Sequence, residues 1–242
     1  MQKQKQNLLL IPLFAVLAAI GIALSLYMVF YVAPLQYGMN EAGKLNGSSL
    51  FFNQKIFFFH TGHGLQLFVA VFTAGLSSIA FLRTRKPRWD DLASAATEVA
   101  VVFGGVVLVT GSIWAKVAWG TWWNWEPRLT TSLLLWLLLV GYVVVRRFAG
   151  PSADRVVAGM AIFGMVTSIF VYTMVGQDSH PAAGTEGVVA TLGPGMKGTF
   201  WMTAVSFLFW YLALVMLRVR STRAERELRE LRERGLDLGV LQ

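Results

Sequence analysis

The chain contains no cysteine. This removes disulfides, thiol redox chemistry, iron–sulfur ligation and the C-x-x-C-H attachment site of a c-type cytochrome. Charge is scarce as well: Asp, Glu, Lys and Arg make up 14% of the 242 residues, against 55% hydrophobic ones. No G-x-x-x-x-G-K-[ST] phosphate loop occurs, so any driving energy is expected from a partner. No internal repeat is visible, and the long apolar runs lack the apolar/polar alternation that a barrel strand requires. Histidine is reduced to three copies, His60, His63 and His180.

What is present is a series of apolar runs, each long enough to cross a hydrocarbon layer of roughly 30 Å. They predict an all-α membrane protein, a six-transmembrane-helix bundle with spans near 8–32, 56–82, 92–114, 129–145, 156–175 and 199–217. The first run follows Lys3 and Lys5 as a signal peptide would. It is about twice the length of an apolar signal core and lacks a clear cleavage site, so it reads as a retained first helix.

Orientation follows from the positive residues, which stay on the cytoplasmic side of short loops. Of the 21 Lys and Arg, sixteen fall in residues 1–7, the 83–91 loop, the 146–155 loop and the tail after residue 217. The other five are Lys44, Lys55, Lys116, Arg128 and Lys197. Both termini are therefore expected in the cytoplasm, with external loops at about 33–55, 115–128 and 176–198. This asymmetry and attraction to anionic membrane lipid account for the net charge of +8, with no call for nucleic acid.

Two units are expected: residues 1–217 as the transmembrane domain and 218–242 as a charged cytoplasmic helix or tail. In the tail, RVRSTRAERELRELRERGLDLG, acids and bases recur three and four apart, such as Glu225 with Arg229 and Glu230 with Arg234. That spacing suits a solvated helix continuing from the sixth span, or one that docks on a cytoplasmic partner.

Residues 119–129 read WGTWWNWEPRL. In helical register Trp119, Trp122, Trp123 and Glu126 share one side, which predicts a short amphipathic helix along the membrane surface. Gly120 removes a side chain beside that face, and Pro127 prepares the turn into the fourth span. One or two such tryptophans would be an ordinary interfacial belt. Four in seven residues, with Trp114 and Trp136 nearby and no similar cluster at other span ends, point to a stacking platform for a large flat apolar ligand.

The predicted topology puts all three histidines on the side of that platform. His60 and His63, in FFFHTGHG, begin the second span near the external surface, and His180 lies in the third external loop, in GQDSHPAAG. Imidazole is the common protein ligand of haem iron and of several divalent metals. Two histidines on opposite sides of a ring, one from a helix end and one from a loop, would fill both axial positions of a haem. Lys116 and Arg128 flank the Trp segment, where they would either meet the ring's propionates or snorkel to headgroups. Asp178 would orient a ligand imidazole or cap a turn. Glu98, inside the third span, is a functional candidate or a structurally paired carboxylate.

The stretch WGTWWNWEPRLT resembles the tryptophan-rich WWD signature of the haem-handling family of cytochrome c maturation, the CcmC/CcmF/CcsA proteins. The size, the six spans and the external histidines on each side of the motif (119–128) resemble the small CcmC type over essentially the whole chain to about residue 217. This resemblance implies that His60, in KIFFFHTG, and His180 are the axial ligands of haem b. It implies a platform of Trp119, Trp122, Trp123 and Trp125, with Gly120, Glu126 and Arg128 in the cofactor-binding segment. The acid closing the motif is Glu126 where the family carries aspartate, Pro181 follows His180 where a polar residue is usual, and His63 lies outside the family pattern as a possible competing ligand. The larger members carry additional histidines inside the membrane, which this chain does not supply.

The resemblance further implies a role without enzymatic turnover: haem is held at the external face of the cytoplasmic membrane and passed to the haem chaperone CcmE. The implied partners are CcmA and CcmB, which form an ABC-type complex, and the small CcmD. Two alternatives stay open on the residues alone. One is a b-type cytochrome subunit transferring electrons, which would normally bury its histidine ligands within the bundle. The other is a zinc or copper site of His60, His63, His180 and Asp178, which leaves the tryptophans unexplained.

Overall fold

A computed structural model describes residues 2–34, 50–149, 153–173, 189 and 192–238. Six long helices alternate in direction: α1 (Gln2–Tyr27, continued by a π-helical turn, Met28–Val32), α2 (Leu50–Thr84), α3 (Pro87–Trp119), α4 (Pro127–Ala149), α5 (Asp154–Thr173) and α6 (Met196–Asp237). Each contains a stretch long and apolar enough to span a membrane. No strand occurs among the described residues. This is the multi-pass helical membrane protein that the apolar runs predict, because in lipid a helix alone satisfies its own backbone.

The main departures from the expected boundaries lie at helix ends. α2 starts at Leu50 and α3 at Pro87, each several residues early, so that only Arg85 and Lys86 separate α2 from α3. Arg85 closes α2 in the left-handed region (φ 55°), its N–H donating to the Phe81 carbonyl at 2.8 Å. Lys86 is extended, and Pro87 opens α3, where a missing N–H is harmless.

The Trp-rich segment is not the amphipathic helix expected of it. Gly120 takes a left-handed conformation (φ 79°) and ends α3, its N–H donating to Lys116. Pro127 is already the first residue of α4, so six residues, 121–126, make the crossing without regular structure. The left-handed glycine breaks the α3 register, and Pro127 disfavours helical backbone at the residue before it, so neither end propagates helix into the segment.

α2 is the central helix and packs on α3, α5 and α6; α4 lies on α5 and α3, and α1 lies mainly on α6. The main core joins Ala70 and Val71 of α2, Val99, Ala100 and Phe103 of α3, Leu135 and Leu139 of α4, and Tyr211 and Val215 of α6. Small residues let the helices approach. A Cβ on Gly75 would lie 2.6 Å from Met165 Cβ, and one on Gly21 would lie 2.5 Å from Ser206 Oγ. Close contact of this kind holds helices together where lipid supplies no hydrophobic drive.

Lys55, expected merely as an external-face lysine, is buried. Its ammonium donates to the carbonyls of Val29 (2.5 Å) and Ala33 (2.7 Å) and so fastens the end of α1 to α2. The turn itself is closed by the Ala33 N–H donating to the Met28 carbonyl; the Val29 and Ala33 carbonyls belong to the helix end, where intrahelical donors run out.

At the opposite end, three bidentate arginine–carboxylate pairs tie the helices. Arg146 of α4 holds Asp90 of α3, Arg218 of α6 holds Glu98 (2.5 and 3.1 Å), and Arg226 of α6 holds Asp91 (3.1 and 2.9 Å). Glu98 is thus a structurally paired carboxylate. The tail is helical to Asp237, yet its inner side is docked on α3 instead of being wholly solvated. The close ion pairs along it are Arg223 with Glu227, Arg226 with Glu230 and Arg218 with Glu225, while Arg229 acts on Glu225 at longer range.

Arg226→Ala leaves the Asp91 carboxylate, 3% exposed, without its guanidinium. The expected cost is about 1–3 kcal/mol, read as a fall of several degrees in the thermal unfolding midpoint of detergent-solubilised protein. The double replacement Asp91→Ala/Arg226→Ala should recover most of that loss. Arg223→Ala, which breaks an exposed pair, should cost under about 0.5 kcal/mol.

Candidate functional site

His60 and His63 sit about 8 and 12 Å along α2 from Lys55, at 1.5 Å per residue. They are therefore deeper in the bundle than a start-of-span position, and they meet different neighbours. His60 turns toward α3. Its Nδ1 lies 3.0 Å from Thr110 Oγ1, and its ring packs edge-to-face on Trp114 at 5.6 Å. Gly111 makes room for it, since a Cβ there would stand 3.0 Å from His60 Cε1.

The Thr110 hydroxyl already donates to the Val106 carbonyl at 2.7 Å. Its oxygen can therefore only accept, which assigns the His60 proton to Nδ1 and the lone pair to Nε2. A proton held on one nitrogen by a fixed acceptor is how proteins present the other nitrogen to a metal. His63 has the same tautomer by another route, Nδ1–H donating to the Phe59 carbonyl at 2.7 Å. It is enclosed by Phe207 and Phe103, at ring distances of 4.1 and 5.5 Å, in the junction of α2, α3 and α6.

The indoles lie beyond the last turn of α3. Trp122 and Trp125 are 60% and 77% exposed, and Trp123 meets Trp125 edge-to-face at 5.9 Å. Lys116 anchors the segment by donating to the Gly120 carbonyl at 2.9 Å and stands 5.9 Å over the Trp122 ring. Thr121 donates to Asn124 at 3.1 Å. Trp122, Trp123 and Trp125 wall a shallow open groove of about 590 Å³, with Leu108, Val109, Ser112 and Ile113 of α3 and Leu133 of α4. The volume is that of a small-molecule site. The indole N–H of Trp123 is shielded from solvent and has no hydrogen-bond partner among the described residues, so it stands as a donor for a ligand carboxylate. Glu126 lies with its carboxylate shielded, and Arg128, at the start of α4, is within electrostatic reach of it. Trp119 is the last residue of α3.

His60 and the groove share one end of the bundle and lie on opposite faces of α3. Thr110, Gly111 and Trp114 face His60, whereas Leu108, Val109, Ser112 and Ile113, about half a helical turn away, face the groove. The structure thus brings Trp122, Trp123 and Trp125 together and sets His60 behind the helix that supports them. His180 and Asp178 lie outside the described residues. Thr110 and Gly111 escaped the sequence reading because a Thr-Gly pair inside an apolar span has no signature of its own. Lys55 escaped because only the partner helix shows that it is buried.

A family model described as CcmC, Heme exporter protein C, matches residues 3–234. The chain is also similar to three proteins called Heme exporter protein C. It is 28% identical over 185 residues to that of Paracoccus denitrificans (72% of this chain, 75% of the relative). It is 31% identical over 134 residues to that of Escherichia coli K12 (53% of each). It is 35% identical over 118 residues to that of Bradyrhizobium diazoefficiens (48% of this chain, 43% of the relative). The chain thus spans about half the length of several of the relatives it matches.

Thr110→Val keeps the volume and removes the acceptor. In protein labelled with ¹⁵N-histidine, the wild-type His60 ring is expected to show a protonated Nδ1, and the variant a new population protonated on Nε2. A wild-type His60 spectrum already protonated on Nε2 would contradict the assignment.

Proposed function

This chain belongs to the CcmC, Heme exporter protein C, family, and on that premise we propose that it handles haem for cytochrome c maturation at the Trp-bearing end of its bundle. In this reading it is a transport or chaperone component of a Ccm complex, and haem b is its cargo. The observation that carries the reading is that an indole-walled groove and an imidazole with its Nδ1 held by Thr110 lie at the same end of the bundle, on the two faces of α3.

The residues fit such a cargo. Indole faces stack on a porphyrin, the Trp123 N–H would donate to a propionate, and Lys116 and Arg128 supply positive charge at the same level. Trp119 and Gly120 belong to the same platform, and Glu126 closes it. His60 would ligate the iron on one side and His180 on the other. A groove this open, with ligands on separate segments, suits a cargo that must be given up again, here to CcmE with CcmA, CcmB and CcmD as the surrounding complex. The distribution of positive residues supports an external Trp segment on a cytoplasmic membrane.

α3 stands between the groove and His60, so a flat ring cannot lie in the one and meet the other while residues 121–126 keep this position. The connection would carry its indoles over the end of α3 as the iron reaches His60, turning at Gly120 and Pro127. The electron-transfer alternative gains little from His63, whose imidazole is packed against two phenyl rings. A metal site using both helix histidines meets the difficulty that they face different neighbours.

The test is the Soret absorbance of purified protein. His60→Ala and His180→Ala should each lower bound haem by about tenfold or more, equivalent to at least about 1.4 kcal/mol. The triple variant Trp119→Ala/Trp122→Ala/Trp123→Ala should weaken retention about tenfold or more at roughly 0.5–1.5 kcal/mol per lost aromatic contact, with the six-span fold intact by circular dichroism. Undiminished haem in that variant would leave the indoles as an interfacial belt. A wild type that stays colourless when haem is supplied would overturn the whole reading.

A further inference from the structure

Beyond Leu217, α6 continues as helix to Asp237 and divides into two sides. The inner side faces the bundle: Thr222 is buried, Arg226 holds Asp91, and Arg226, Arg229, Glu230 and Glu233 line a charged cleft with Asp90, Asp91, Arg146 and Asp154. The outer side carries Ala224, Leu228, Leu231 and Leu238, and the three leucines are 66%, 62% and 78% exposed. Their spacings of four, three and seven are those of the apolar seam of a heptad repeat, with Gly235 in the remaining seam position. Counting back by sevens from Ala224 reaches Leu217 and Trp210, which are 55% and 39% exposed, so the same stripe begins inside the membrane-spanning part of α6. A charged helix on a solvated surface has no need of such a line of leucines.

We propose that the outer face of the α6 extension pairs with the same face of a second copy of this chain, as a short parallel two-stranded coiled coil on the tail side of the membrane. Charge selects this occupant and this orientation. With Leu228 and Leu231 in the seam, Arg220 and Glu227 take one flank, and Glu225 and Arg232 take the other. In a parallel pair each flank residue meets the opposite flank five residues further on in the partner. Arg220 then faces Glu225 of the other copy and Glu227 faces its Arg232, opposite signs both times. Two chains inserted the same way in one bilayer can approach only in parallel, and the continuation of the stripe to Trp210 lets the membrane-spanning parts approach on the same side.

The extension spans about three heptads, which is short for a free coiled coil. Confinement of both copies to one membrane raises their effective concentration and offsets that shortness. Inner-face ties such as Arg226 to Asp91 hold the helix upright in each copy, so the seam is preformed before the partner arrives.

The absence of cysteine makes the test direct. Single variants Leu228→Cys, Leu231→Cys and, as an exposed off-seam control, Arg223→Cys are introduced into the full chain and oxidised in membranes with copper phenanthroline. The two seam positions should give disulfide-linked homodimer at fivefold or more the control yield. In the Leu231→Cys background Glu227→Arg should cut that yield at least threefold, and Glu227→Arg/Arg232→Glu should restore it. Equal yields at all three positions, a Leu231→Cys adduct with a different protein, or a charge swap that restores nothing would overturn the proposal. The haem reading rests on other residues and survives any of these results.

Discussion

In hydrocarbon no water is available to take up an unpaired backbone group, and this one constraint shapes most of the molecule. Within a helix the demand is met residue by residue. At a helix end it is not, and the ends are where this chain uses its unusual devices. The π-helical turn that finishes α1 presents carbonyls that the helix no longer satisfies, and a lysine from α2 reaches across to take two of them. α2 finishes on an arginine in the left-handed region, and α3 on a glycine. Each device fixes the position of what comes next, so the short connections and the functional end follow from how helices are closed in lipid.

The candidate site shows the same economy. His60 is oriented by a threonine whose own proton is committed to a helix carbonyl, and it is admitted by the absence of a side chain at the next residue. α3 therefore does two things with its two faces, seating an imidazole on one and flooring an indole-walled groove on the other. The segment that walls the groove has no regular structure between Gly120 and Pro127, and two of its three indoles stay exposed.

Much of this was legible from residue patterns, and the limits are instructive. The six spans are visible because an apolar run has no alternative fate in lipid. Gly120 reads as a gap beside a helix face and Pro127 as the turn into the fourth span, because the register of Trp119, Trp122, Trp123 and Glu126 suggests a continuous helix; Gly120 instead ends α3 and Pro127 is the first residue of α4. Side-chain periodicity ignores backbone conformation, and the glycine's left-handed φ settled the matter. Glu98 can be suspected of pairing, but its partner Arg218 is 120 residues away, at the start of a tail whose spacing suits either a solvated helix or one docked on a partner. Local spacing likewise named Glu225 with Arg229, whereas Arg218 takes Glu225 in the folded chain. Long-range partners of charged residues are set by packing, which one-dimensional spacing does not contain.

The placement of α1 bears on how the protein is made. Its chief neighbour is α6, through Phe14 stacked on Phe209 at 6.0 Å, Ser25 beside Ser206 at 3.2 Å and the close passage at Gly21. The first and the last of the six described helices are thus matched to each other. α1 cannot reach its chief packing surface before α6 has entered the bilayer. The Lys55 clasp, which needs only the neighbouring α2, can hold the far end of α1 before that contact forms.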